Sequence, residues 1–369
     1  KSPYTGGHCQ RVPELTLMLA EAACRSDSRP FHDFKMDEDE WETLSIAAWL
    51  HDCGKLTTPE YVVDKATKLE TLFDRIHEIR MRFEVLKRDA EIACLRGVAE
   101  GGERAALEAA MHAELAALDD DFAFVAACNI GGEALPDGAE ERLHRIAART
   151  WQRTLDDRIG ISQIEKRRKE RLPEPVLPVV EPLIADREDH RIDHQTAGPL
   201  PADIKVTAPT YRLDLGELHC LSVNRGTLTA EERFLINNHI VQTIIMLRGL
   251  PFPEYLKDVP DIAGNHHEHL DGTGYPRGLE AAAMIPQARM MAIADIFEAL
   301  TASDRPYKLG KPLSEAVTLL AGYVRMGHLD RDLFELFLRE GVHLRFAQRF
   351  LDAHQIDEVD IEAALRRAG

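Results

Sequence analysis

His51 and Asp52 close an apolar helical stretch in Trp49-Leu50-His51-Asp52-Cys53-Gly54-Lys55. A carboxylate buried there costs several kcal/mol unless it is ion-paired or bound to a metal. Read alone, the pair is better explained as a helix-terminal pair bonded to the backbone. A second string, His266-His267-Glu268-His269-Leu270-Asp271-Gly272-Thr273-Gly274-Tyr275-Pro276, is harder to explain that way. Two adjacent histidines cannot point the same way on a regular helix, but at a helix end both can turn toward one metal pair. Gly272 and Gly274 are read as supplying the backbone angles of a tight turn, and Pro276 as fixing its exit. Asp295 stands in Met291-Ala292-Ile293-Ala294-Asp295-Ile296-Phe297, on a helix face that is otherwise apolar, and needs a partner. His239 follows Asn237-Asn238 and alone reads as a satisfied, half-buried histidine. His8, in Gly6-Gly7-His8-Cys9, is weak by itself.

Taken together, His8, His51, Asp52, His239, His266, His267 and Asp295 form a donor set of imidazole and carboxylate without thiolate. That set suits Fe, Mn, Ni or Zn in an open catalytic site better than a structural zinc site. An aspartate bridging two metals about 3.5–4 Å apart is the usual arrangement for phosphoester hydrolysis by a metal-activated water, with no serine or cysteine nucleophile.

The elements that must carry these residues read as helices. Val12, Leu15, Leu19 and Ala22 share one face, with Pro13 in a first turn. A helix is expected from about 40 to 51. Thr229 and Glu232 form a capping box that opens a helix through Ile236, Ile240, Ile244 and Leu247. Residues 287–302 are a buried helix pattern, and 313–369 add amphipathic helices. Between 65 and 221 lies a segment of different character. Leu69, Leu72, Ile76, Ile79, Phe83, Leu86, Ala90 and Ala93 repeat at 3-4 spacing, as in a coiled-coil seam. Gly101-Gly102 breaks the seam, Leu107, Met111, Leu115 and Leu118 resume it, and Leu143, Ile146, Thr150 and Ile159 suggest a third helix. Pro173, Pro175, Pro178 and Pro182 mark an irregular linker over 172–210. His190 and His194 are read there as exposed loop histidines. The segment is equally a dimerisation arm or a hairpin that buries its own seam. The expected fold is all-α, a compact bundle with a long helical insertion: 1–64 and 222–369 form the bundle, and 65–221 the insertion.

With 29% charged and 44% hydrophobic residues the composition is that of a globular chain, and no stretch approaches a membrane span. The net charge of −18 disfavours DNA, RNA and anionic lipid, so an anionic substrate needs local positive charge. Six scattered cysteines form no paired framework and read as reduced thiols. No signal peptide is evident and no initiator Met is present. The expectation is a cytoplasmic protein, or the cytoplasmic part of a larger sensor.

These motifs resemble the HD-GYP family, a branch of the HD phosphohydrolases. The likeness rests on His51-Asp52-Cys53-Gly54-Lys55, Leu228–Glu232, the His266–Pro276 string, Ala292–Asp295 and Arg305-Pro306-Tyr307-Lys308. It spans about 1–64 and 222–369 and leaves the insertion outside. The resemblance implies an HD-type bundle and a phosphodiesterase acting on cyclic di-GMP. It makes His8, His51, Asp52 and Asp295 ligands of one divalent metal, with Asp52 bridging, and His239, His266 and His267 ligands of a second. Iron or manganese is expected, with nickel or zinc as alternatives. Lys55 resembles the lysine that faces the scissile phosphate, and Arg305 and Lys308 the pair that grips the dinucleotide. Gly274-Tyr275-Pro276 resemble the loop that shapes the site and contacts diguanylate cyclase (GGDEF) domains. Some members place a glutamate four residues before the first histidine, where it helps hold a third metal. Tyr4 stands there in this chain, which implies two metals and linear pGpG, rather than GMP, as main product. Two other readings remain: cyclic GMP-AMP as substrate, or a non-catalytic module that senses dinucleotide or binds a cyclase.

Overall fold

The computed structural model describes residues 3–194, 200–303 and 310–369, with side chains from residue 6 onward. The helices are α1 (Pro3–Arg25), α2 (Glu38–Leu50), α3 (Glu60–Val63), α4 (Ile76–Ala99), α5 (Arg104–Ile130), α6 (Ala139–Ala147), α7 (Gln163–Lys169) and α8 (Glu217–Leu221). They continue with α9 (Ala230–Arg248), α10 (Val259–Gly264), α11 (Pro286–Thr301), α12 (Leu313–Arg325), α13 (Arg331–Arg339), α14 (Val342–Phe350) and α15 (Ile361–Ala368). Among the described residues the only sheets are two antiparallel pairs, β1 (Thr150–Arg153) with β2 (Val179–Pro182) and β3 (Arg191–Ile192) with β4 (Leu213–Asp214). The fold is all-α. None of the helices described is long and apolar enough to cross a membrane.

The chain divides into two compact units. The first comprises Lys1–Asp64, Gly198–Thr207 and Leu235–Gly369. Its central helix is α11, where Ala288, Met290, Met291, Ile293, Ala294 and Phe297 are all buried and none of residues 287–301 is exposed. Helices α1, α10, α12 and α13 pack on it. From α1 the buried stripe is Val12, Leu15, Leu19 and Ala23, each worth roughly 1–3 kcal/mol when removed from water. This helix begins at Pro3, so Pro13 lies in its interior rather than in a first turn. Asp37 and Glu40 cap α2 reciprocally, and the helix ends at Leu50 with His51 as its C-cap. Asp52 then leads into a 3-10 turn over Cys53–Thr57.

The second unit comprises Lys65–Ala197 and Ala208–Phe234. Helices α4 and α5 form a hairpin around buried Ile79, Phe83, Leu118 and Val125. The 3-4 repeat overreaches at both ends. Leu72 precedes the helix and is exposed, and Ala93, at the far end of the repeat, is exposed while Cys94 beside it is buried. The third helix is shorter than its apolar spacing suggests: α6 stops at Ala147, Thr150 enters β1, and Ile159 is exposed. Thr150 and Trp151 are strand-favouring residues, and they pair with Pro182 and Glu181 of the proline-rich segment. Pro182 is tolerated because it ends its strand. The unit runs to Phe234, beyond the expected boundary at 221. The capping box of α9 ties it there: Thr229 Oγ1 accepts from Glu232 N, and the same Glu232 carboxylate takes both 2.7 Å bonds of buried Lys65.

Candidate metal centre

Six helix and turn positions of the first unit bring the donor residues to one place. His8 comes from α1, His51 from the end of α2, Asp52 from the following turn, His239 from α9, His266 and His267 from the end of α10, and Asp295 from α11. Most of these histidines are oriented by their own helix. Nδ1 of His51 donates to Ala48 O (2.7 Å), that of His239 to Ile236 O (2.5 Å), and that of His266 to Ala263 O (2.6 Å). A carbonyl can only accept, so in each ring the proton sits on Nδ1 and Nε2 presents a lone pair.

Those lone pairs converge. His8 Nε2 lies 3.1 Å from Asp52 Oδ2 and 3.2 Å from Asp295 Oδ1, and His51 Nε2 lies 3.3 Å from His8 Nε2. On the other side His239 Nε2 is 3.1 Å from Asp52 Oδ1. Yet Asp52 Oδ1, His239 Nε2 and His266 Nε2 are buried without a hydrogen-bond partner. A buried polar atom without a partner costs roughly 1–3 kcal/mol, and three in one place need an explanation. Atoms around a tetrahedral ion with bonds of about 2.1 Å stand ~3.4 Å apart, close to the spacings here. Three ligand groups result: His8, His51 and Asp295; His51, Asp52 and His266; and His239, His266 and His267. Asp52 turns one oxygen toward His8 and the other toward His239, as a bridging carboxylate would. The donor set therefore fits metal ions.

The charge state of the site agrees. Burial pulls the Asp52 carboxyl up, but the Lys55 ammonium beside it outweighs this and holds it well below the usual carboxylate range. Asp295 is likewise held down against burial, chiefly by its hydrogen bond with His8. Burial pushes His266 down to about 3, and burial together with His266 holds His267 well below its ordinary value. Ionised carboxylates and neutral imidazoles are the forms that ligate metal. His8 differs: burial lowers it, but Asp295, Asp52 and Glu298 outweigh that and raise it, so a proton sits where a cation would take its place. Burial also lowers Lys55, and Asp52 and Asp295 reverse the shift. Its Nζ lies 2.5 Å from Asp52 Oδ2.

Two glycines are required by space rather than by angle. A Cβ on Gly54 would stand 1.9 Å from His239 O, so only glycine lets the Asp52 turn close on α9. Gly54 N donates to Thr243 Oγ1, whose hydroxyl donates to His51 O. In the loop string only Gly272 has positive φ (+79°), while a Cβ on Gly274 would meet His269 N at 2.2 Å. The expectation that both supply unusual angles is thus corrected. Tyr275 N donates to His267 O, and its ring stacks on that of His267 at 5.0 Å. Pro276 O accepts from Lys205 N. Arg305, Lys308 and the Tyr4 side chain lie outside the described residues. His190 and His194 join no metal cluster among the described residues. His190 is half-buried rather than exposed, while His194 is exposed and bonded to Pro209 O.

Two glutamates were not singled out from sequence. Glu298 is fully buried, with Oε2 2.5 Å from His8 Nδ1 and Oε1 accepting from Arg11 at 2.6 Å. Glu268, also buried, accepts from Arg277 N and Leu279 N and so fixes the loop's exit. The spacing of Glu298, three residues after Asp295 on an apolar helix, was the available signal.

The family model described as the HD domain matches residues 178–333. That stretch takes in His239, His266, His267 and Asp295. This match is consistent with the HD-GYP resemblance read from the sequence. Proteins similar to this chain include the 3'3'-cGAMP-specific phosphodiesterase 1 of Vibrio cholerae, 38% identical over 129 residues, 34% of this chain and 29% of that protein. A cyclic di-GMP phosphodiesterase of Pseudomonas aeruginosa is 39% identical over 114 residues, 31% of this chain and 26% of that protein. Another, from Thermotoga maritima, is 36% identical over 117 residues, 31% of each chain. The matched stretch therefore spans under a third of each of these curated relatives. HD-domain phosphohydrolases are metal-dependent, and the His/Asp clusters here could bind metal.

Proposed function

We propose that the chain hydrolyses cyclic di-GMP, mainly to linear pGpG, with two divalent metal ions, iron or manganese before nickel or zinc. The single observation behind this reading is the position of Asp52, one oxygen toward His8 and the other toward His239. In it, His8, His51, Asp52 and Asp295 hold one ion, and Asp52, His239, His266 and His267 the other. Bound ions would polarise the scissile phosphate and activate a water. Lys55, kept protonated by Asp52 and Asp295, is better suited to steadying phosphate charge than to releasing a proton. Gly274, Tyr275 and Pro276 wall the site, with Tyr275 fixing the His267 ring. Arg305 and Lys308 are the proposed phosphate grip. Tyr4, in place of a carboxylate, is the reason for two ions and for pGpG.

Cyclic GMP-AMP is the second reading, since the Vibrio relative named for it is as similar as the cyclic di-GMP enzymes. The reading places the protein in the cytoplasm, with diguanylate cyclase domains as partners at Gly274-Tyr275-Pro276. It treats 65–221 as an insertion in the 1–64 and 222–369 bundle and as a homodimer arm, for which exposed Ile92 and Leu95 are the support. The test is incubation of protein loaded anaerobically with Fe(II) or Mn(II) with each dinucleotide, with separation of products. Turnover of cyclic di-GMP to pGpG, lost in His51→Ala/Asp52→Ala, is expected. Dominant GMP would overturn the two-metal argument, preference for cyclic GMP-AMP the substrate, and binding without turnover the enzyme itself.

A further inference from the structure

A second cluster of donors lies in the first unit, apart from the ligand set above. His269, Asp271 and His328 place one ligand atom each within 4.8 Å of the others. The first two belong to the loop string, and the third to the turn between α12 and α13. The imidazoles of His269 and His328 lie face to face, 3.8 Å between centroids and 9° from parallel.

The hydrogen bonds around the cluster leave one donor atom of each side chain unused. His269 Nδ1 bonds to Thr273 Oγ1 at 2.9 Å, which leaves Nε2. Asp271 Oδ1 accepts from Thr273 N at 3.0 Å and from Thr273 Oγ1 at 2.7 Å, which leaves Oδ2. Thr273 thus orients two of the three donors. His328 Nδ1 is buried without a hydrogen-bond partner, and its Nε2 stands 3.9 Å from Asp271 Oδ2, beyond hydrogen-bond range. A histidine left in this way beside a carboxylate and a second imidazole lacks something that binds both. The two chain segments are also held in register: Leu270 N donates to His328 O and Asp271 N to Gly327 O. Gly327 turns at φ +79°, where other residues are strained. The backbone is therefore fixed, and the two imidazoles must turn out of their face-to-face stack for both in-plane lone pairs to reach one ion.

We propose that His269, Asp271 and His328 bind one divalent transition-metal ion, outside the proposed catalytic pair. Two imidazoles and one carboxylate suit zinc, nickel or copper, with the remaining positions open to water. Such an ion would clamp the Gly272–Pro276 loop to the α12–α13 turn, so it would act on the loop rather than on a phosphate.

The probe is Zn(II). Wild-type protein, His328→Gln and His269→Gln are equilibrated with Zn(II), freed of unbound metal by gel filtration, and analysed for zinc per chain. Each variant is expected to hold one ion fewer than wild type, and wild type to lose one ion to a mild chelator first. The comparison is a difference, so it does not depend on how many ions the catalytic site holds. If that site fails to bind as proposed, the total falls but the difference of one persists. Circular dichroism checks the fold of each variant, and either folded variant suffices. Equal zinc in wild type and a folded variant would overturn the proposal.

Discussion

Glu298 offers the sharpest test of how the donor set is oriented. Its carboxylate is fully buried and shared between His8 Nδ1 and Arg11 Nε. Burial raises its affinity for a proton, but His8 and Arg11 outweigh that and keep it ionised. Glu298→Gln therefore removes a real charge while preserving shape, whereas Glu298→Ala removes the contact too. A carboxylate behind a ligating histidine raises the ligand's basicity and fixes its ring, and its loss costs about 10- to 100-fold in metal affinity. That range equals about 1.4–2.8 kcal/mol. The glutamine variant is expected near the lower end, since its amide oxygen still accepts from His8, and the alanine variant near the upper end. Breaking a buried ion pair also destabilises the fold by about 3–5 kcal/mol, so the alanine variant should melt well below wild type. The assay is titration of metal-stripped protein with Mn(II), following free ion by its spin resonance signal, with melting curves of the same samples. Wild-type affinity in both variants, within twofold, would refute the orienting role. Loss in alanine alone would assign it to contact rather than charge.

Three further outcomes follow from the geometry. Gly54→Ala forces a Cβ against the His239 carbonyl, whereas Gly6→Ala meets nothing within 4 Å. The first should lower the melting temperature and metal content, and the second should do neither. Lys65→Met strands the buried Glu232 carboxylate and should cost about 3–5 kcal/mol by denaturant unfolding; adding Glu232→Gln should recover part of it. Asp157 is pushed up by burial, but Lys169, Arg187 and Arg153 outweigh this and set it at about 2, against 3.8 when unfolded. Its folded pKa is depressed, so its contribution is present above about pH 4 and lost as pH falls toward 2. Asp157→Asn should thus flatten the acid limb of a stability-pH curve, by roughly 1 kcal/mol given its solvent screening.

Part of the donor set was legible because its residues break a local rule. His51-Asp52 at the end of an apolar helix and Asp295 on a buried face are choices that packing alone does not make. His8 and His239 carried no such signal, and only their meeting with Asp52 gives them meaning. Glu298 and Glu268 were missed for the opposite reason. A glutamate at helical spacing or in a polar turn looks ordinary, and what distinguishes these two is complete burial, which depends on helices distant in sequence. Gly274 shows a third limit. The turn signal was sound, but the cause lay in the approach of Glu268 and His269 backbone rather than in the glycine's own angles.

The second unit was read less well, and its chemistry explains why. Periodicity reports which residues want cover, not whether cover exists. The 3-4 repeat of α4 ends at Ala93, yet Ala93 is exposed and its neighbour Cys94 takes the buried position. The β1–β2 pair was hidden because Thr150 extends the helical spacing of Leu143 and Ile146, and because prolines argue against strands. Both objections fail at strand ends, where Thr150 pairs with Pro182 and no ladder donor is lost. Short strands of this kind are fixed by their partner, so neither segment signals the pair alone. The boundary at Phe234 has the same origin. Glu232 serves the helix cap and Lys65 with one carboxylate, so the start of α9 belongs to the unit that holds Lys65, whatever the helix pattern suggests.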